Sequence, residues 1–149
     1  MYTFVLAVHN IMRWIVVVLA IIALVRAYWG WLGKREWSQA DRKVGMYFSI
    51  SMDVQLLLGL ILYFGLSPIT RSAIQDIGAA MANAGLRFFA LEHFFYMFLA
   101  VIVVHAGTTL SRKAVDPVAK HRRAALWFTL AVLLILIGMP WSRSLIPIF

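Results

Sequence analysis

His9 and Arg13 stand four residues apart in the first long apolar run of the chain, and Glu92 and His93 stand side by side in the third. An ionisable group in hydrocarbon costs at least about 2.5–3.5 kcal/mol at a helix centre, so it faces a protein interior, pairs, or binds something. On a helix, residues four apart share a face, offset by about 40° and one turn, so His9 and Arg13 project into the same space. If the two runs start near Phe4 and Leu86, His9 and His93 lie roughly 7 and 10 Å below the same membrane face. Two imidazoles at matched depth on different helices meet the requirement for axial ligation of a haem b.

That chemistry needs an apolar slot for the macrocycle and cationic or donor groups for its propionates. Arg13 and Arg87 are candidates for the propionates. Glu92 is expected to pair with Arg13, or to take the Nδ1 proton of a ligating histidine and so fix its tautomer. Phe88, Phe89, Phe94, Phe95 and Tyr96 supply aromatic bulk. Two other readings use the same residues. In one, Arg13 and Glu92 form a buried ion pair that fixes helix register, with His9 and Asn10 hydrogen-bonded beside it. In the other, His9, Arg13 and Glu92 surround a quinone head group.

A second polar group lies deeper. Asp53 and Gln55 in the second run, and His105 near the end of the third, are expected within reach of one another. They suit a hydrogen-bonded helix contact, a second site, or part of a proton relay. Ser49, Ser51, Asp53 and Gln55 make that half of the second run polar, and Gly59 and Gly107 permit close helix approach. His121, within Lys120-His121-Arg122-Arg123, is expected at the membrane interface rather than as a ligand of a second haem.

The elements that carry these residues follow from composition. The chain has 149 residues, 63% hydrophobic and 13% charged, with a mean hydropathy of +0.86, far from a soluble domain. Apolar runs over about 4–28, 44–66, 86–110 and 124–139 each suit a bilayer core of about 30 Å. The expectation is a single all-α transmembrane domain, a polytopic antiparallel bundle of four helices at shallow crossing angles. The first run lacks a signal peptide's basic start and cleavage site, so it is expected to be retained. The fourth, with only Thr129 polar, is expected to pack and to face lipid. Residues 72–84, with Ile74, Ile77, Ala80 and Met81 at helical spacing, read as a short surface helix.

Two short loops hold ten of the fourteen Lys and Arg residues: Arg26, Lys34, Arg35, Arg42 and Lys43 in one, Arg112, Lys113, Lys120, Arg122 and Arg123 in the other. The positive-inside rule then puts both loops in the cytoplasm and both termini outside. It also accounts for the net charge of +8 without a nucleic-acid partner. Trp29, Trp31, Trp37 and Trp141 fall near the expected interfaces. With no cysteine, disulfides, thiolate metal sites, iron–sulfur clusters and cysteine nucleophiles are excluded.

The order of His9-Asn10-Ile11-Met12-Arg13-Trp14, Gln55-Leu56-Leu57-Leu58-Gly59-Leu60-Ile61-Leu62-Tyr63, Arg87-Phe88-Phe89, Glu92-His93 and Pro140-Trp141 resembles small bacterial four-helix membrane proteins labelled cytochrome b-like. The resemblance covers nearly the whole chain. It implies a haem b site on His9 and His93 between the first and third helices, supported by Arg13 and Glu92, in a bacterial inner membrane. Such relatives favour a histidine near the position of Asp53, where this chain departs from them. The expected role is electron transfer linked to quinone or to a larger redox complex, as a carrier or subunit rather than a stand-alone enzyme. The alternatives are a non-catalytic accessory subunit of a respiratory or photosynthetic membrane complex, and a small proton-conducting or transport protein. No catalytic residue is assigned.

Overall fold

The structure, a computed structural model, describes residues 1–141. It is all-α, with four helices long and apolar enough to cross a membrane: α1 (Tyr2–Leu32), α2 (Gln39–Leu66), α5 (Ala84–Lys113) and α6 (Pro117–Gly138). Two short helices, α3 (Pro68–Gln75) and α4 (Ile77–Ala82), lie between α2 and α5. The sequence places the spans in the right order but begins them late at the basic end. The first turns of α2 and α6 are polar and helical, so hydropathy alone misses them. Ser38 caps α2 in a reciprocal capping box with Asp41, and Asp116 caps α6 ahead of Pro117 at its first position.

The long helices form a closed up-and-down ring, with α1 packed on α2 and α6, and α5 packed on α2 and α6. Thus α1 and α5 face each other across the diagonal, and the ring's centre is where side chains from both can meet. Both ends of the described chain lie at one end of the bundle, and the two short basic loops lie at the other.

Burial runs opposite to that of a soluble bundle. Many of the residues buried between helices are small: Ala20, Ala23, Ala27 and Gly30 on α1, and Ala124, Ala125 and Ala131 on α6. Ile21, Val25, Leu57, Ile102 and Leu133 point outward. Outward-facing bulk with small residues between helices is the packing of a bundle whose solvent is lipid. Phe48 and Phe128 fill the middle edge-to-face, with ring centroids 5.6 Å apart. The fourth helix packs on one side and is exposed on the other: Phe128, Ala131, Leu134 and Ile135 are buried, Leu126, Leu130, Leu133 and Ile137 are exposed, and Thr129 bonds the Tyr28 hydroxyl at 2.9 Å.

The expected surface helix over 72–84 is two helices broken at Asp76, whose side chain caps α4 through the Ala79 N–H at 2.9 Å. Ile74 and Ile77 are exposed, whereas Thr70, Ala73 and Ala80 are buried, so the small face docks on the bundle. A further feature has no signature in hydropathy. The last six residues of α2 (Ile61–Leu66) and the segment Phe88–Glu92 of α5 are π-helical. Tyr63 in the first donates to the Ala90 carbonyl in the second at 2.6 Å, tying the two wide segments together beside the central cavity.

Candidate functional site

The centre of the bundle at this end encloses a cavity of about 510 Å³ lined by His9, Asn10 and Arg13 of α1, Gln55 and Tyr63 of α2, Thr70 of α3, His93 of α5, and apolar residues including Val16, Leu56, Phe94, Met97 and Met139. A mostly apolar cavity of this size with a few convergent polar groups is the usual form of a small-molecule or cofactor site. π segments are frequent at such sites, because the extra residue per turn re-aims side chains and loosens the backbone ladder. Here they stand toward the outer ends of α2 and α5, two of the helices that border the cavity.

His93 is held by its backbone-facing nitrogen: Nδ1 donates to the Gly138 carbonyl of α6 at 2.7 Å. A carbonyl only accepts, so Nδ1 carries the proton of the neutral ring and Nε2 keeps its lone pair on the cavity side. This is how a metal-ligating histidine is normally fixed. His9 leans instead toward α2. Its ring lies against Gly59, and Gln55 Nε2 donates to His9 Nε2 at 3.2 Å. That bond puts the neutral ring's proton on His9 Nδ1, which is buried without a hydrogen-bond partner, as is Gln55 Oε1. Turning the amide would offer Oε1 to a protonated Nε2 and leave the amide nitrogen and the Nδ1 lone pair bare. Either way the cavity keeps unmatched polar atoms, each costly in a dry site. Arg13 is buried and lines the same cavity, one turn below His9.

Glu92 and Arg87 are elsewhere. Arg87 Nε donates to Glu92 Oε1 at 2.8 Å, with both side chains about 40% exposed (42% and 38%), and Arg87 Nη1 donates to the Met81 carbonyl at 3.2 Å. Glu92 therefore neither pairs with Arg13 as expected nor fixes a histidine tautomer, a role the Gly138 carbonyl takes. The π register explains the change, since it brings residues five apart into line, and Arg87 and Glu92 are five apart. Of the expected aromatic bulk, Phe89 and Phe94 line the cavity. Phe88 packs on Phe89 and on the His93 ring, Tyr96 packs on Gly138, and Phe95 is exposed.

The deeper polar group divides. Ser49 Oγ bonds Thr108 Oγ1 at 2.9 Å, and both reach the Gly45 carbonyl, stitching α2 to α5. Ser51 donates to its own helix at Phe48. Gln55 faces the cavity, whereas Asp53 Oδ1 accepts from His105 Nε2 at 2.8 Å on the outer surface, the side chains 44% and 49% exposed. Asp53 and Gln55 thus serve different faces of the bundle.

His121 lies at the expected basic end of the bundle but is buried rather than turned to headgroups or lipid. It is 1% exposed, bonded through Nε2 to the Glu36 carbonyl at 3.3 Å and covered by Trp37 at 4.8 Å between centroids. Its seat is Gly30 of α1, where any side chain would overlap the imidazole. The missing Cβ at position 30 was the available sequence signal. Among the described residues no group of three or more His, Cys, Asp or Glu side chains forms a metal cage. No family model, curated protein or solved structure matches the chain.

Proposed function

We propose that the protein is a membrane electron carrier of the b-type cytochrome kind, holding a haem in the central cavity between α1 and α5. The observation that carries this reading is the pair His9 and His93, on diagonal helices and lining one apolar cavity, with His93 Nδ1 fixed on the Gly138 carbonyl and Nε2 left for a metal. The residues fit the group with one adjustment: His9 Nε2 must leave Gln55, which the three rotatable torsions of that side chain permit. Arg13 would meet a propionate, and Tyr63 and Thr70 close the outer end. The haem would supply one-electron chemistry; the chain's own residues exclude water, orient the two imidazoles and balance carboxylate charge. The resemblance to cytochrome b-like proteins supports the same reading.

Orientation follows from the basic loops. The end carrying Lys34, Arg35, Arg42, Lys43, Lys113, Lys120 and Arg122 faces the cytoplasm of a bacterial inner membrane, and both termini and the cavity face outward. Electrons would enter or leave from that outer side, in exchange with quinone or a larger redox complex.

A second reading draws on one observation, the Asp53–His105 pair on the outer surface. A polar pair that a lone bundle turns to lipid supports seating against another polypeptide, as in an accessory subunit of a membrane complex. The deciding measurement is a reduced-minus-oxidised spectrum of the detergent-purified protein with a pyridine-haemochrome assay. A b-type signal near one haem per chain is expected. A flat spectrum from haem-replete cells would overturn the cytochrome reading and favour the accessory one.

A further inference from the structure

The opposite end of the bundle holds a second concavity, of about 530 Å³, in which three elements meet: Trp37 and Arg42 from the α1–α2 connection and the start of α2, Thr109, Arg112 and Lys113 from the end of α5, and Lys120 from the start of α6. Membrane topology explains why cations are at this end but not why four of them line one pocket. Like charges in one concave site raise one another's energy until an anion enters.

The nearby carboxylates do not relieve them. Asp41 is committed to Arg26 through Oδ1 at 2.8 Å and to the Ser38 N–H through Oδ2 at 2.8 Å. Asp116 caps the Ala119 N–H at 2.7 Å, and Glu36 is exposed and outside the lining. None of the four cations belongs to an ion pair among the described residues.

We propose that this pocket binds a phosphate-bearing anion, with an anionic phospholipid headgroup as its natural source. Arg42, Arg112, Lys113 and Lys120 supply charge and Thr109 a hydroxyl donor, and two guanidinium groups offer the bidentate geometry that a phosphodiester accepts. The pocket sits where spanning helices end, at headgroup depth, beside a tryptophan of the interfacial kind. An acyl chain also has a track. Met46 and Ile50 follow Arg42 at successive four-residue steps on α2, and both are exposed, as is Ile102 on α5.

The test uses the full chain in neutral detergent, with native mass spectrometry reading retention of dioleoyl phosphatidylglycerol, dioleoyl phosphatidylcholine or inorganic phosphate. The wild type should retain one phosphatidylglycerol, and R42Q/R112Q should lose it by tenfold or more, as expected when charged hydrogen bonds are removed. K34Q/R122Q removes equal charge outside the pocket and should stay within twofold, and matched melting temperatures would show both doubles folded. Binding of inorganic phosphate but not phosphatidylglycerol, with the same variant pattern, would keep the phosphate site and assign it a soluble source. Equal loss in both doubles, equal retention of phosphatidylcholine, or no retention of either anion would overturn the proposal.

Discussion

His93 and Gly138 are joined side chain to backbone, Nδ1 to carbonyl at 2.7 Å, at a point where α5 and α6 come so close that position 138 has no room for a side chain. A Cβ there would fall 2.6 Å from Met97 Cε and 2.8 Å from Tyr96 Cβ. Packing and site are therefore one feature. Gly138→Ala should cost about 1–3 kcal/mol through overpacking and lower cofactor occupancy as well, because separating the helices draws the carbonyl away from the imidazole. Thermal melts read beside haem content per chain would check both; lowered stability at full occupancy would uncouple them.

His9→Ala and His93→Ala should each abolish haem retention in a folded protein. His121→Ala should keep the haem and lower the melting temperature, since it empties a buried seat between Gly30 and Trp37. Retention of haem in both of the first two variants would remove them as ligands.

Gln55 separates the two occupants that suit the central cavity. Gln55→Leu releases His9 Nε2 for a metal, so haem stoichiometry should hold or rise, with a shifted reduction potential. If the cavity instead takes a quinone, the same substitution removes a polar contact near its head group, and binding of a short-chain quinone analogue should fall by roughly tenfold, the worth of about 1–1.5 kcal/mol of hydrogen bonding.

Arg87→Gln should leave haem content unchanged, because its guanidinium is held by Glu92 and the Met81 carbonyl outside the cavity. Loss of haem in this variant, with its fold intact by circular dichroism, would return Arg87 to the site.

Asp53 and His105 make the accessory reading measurable. Replacing both by leucine should leave an isolated bundle as stable or more so, since a polar pair facing lipid is exchanged for apolar side chains. If the pair seats against another polypeptide, the same double variant should lose that partner in a mild-detergent pull-down while the wild type keeps it. A double variant that melts lower and retains every partner would assign the pair to the bundle's own packing.

The spans were legible because hydrocarbon imposes length and apolarity on any helix that crosses it, and His9, Arg13 and His93 were legible because ionisable groups are conspicuous there. What hydropathy does not carry is angular phase. Glu92 looked inward beside His93 on the assumption of uninterrupted α-helix, and the π segment turned it to Arg87. Sequence proximity alone joined Asp53 with Gln55 as one group, although residues two apart on a regular helix point about 200° apart. His121 looked interfacial because its sequence neighbours are charged, while its seat is made by a glycine ninety-one positions earlier. Contacts set by the absence of a side chain leave little trace in a one-dimensional pattern.

The π segments also make chain length itself a variable of the site. Each behaves as a single-residue insertion absorbed within a helix, so deleting one residue from 88–92 would let the ladder close as ordinary α-helix without breaking the span. Everything on the outer side would then turn by about 100° relative to His93, separating Arg87 from Glu92 and Tyr63 from the Ala90 carbonyl while the imidazole keeps its place. A chain one residue shorter here would still insert, fold and present both histidines, but with a different mouth to its cavity, and that is the cheapest route by which proteins of this plan would change what reaches the centre.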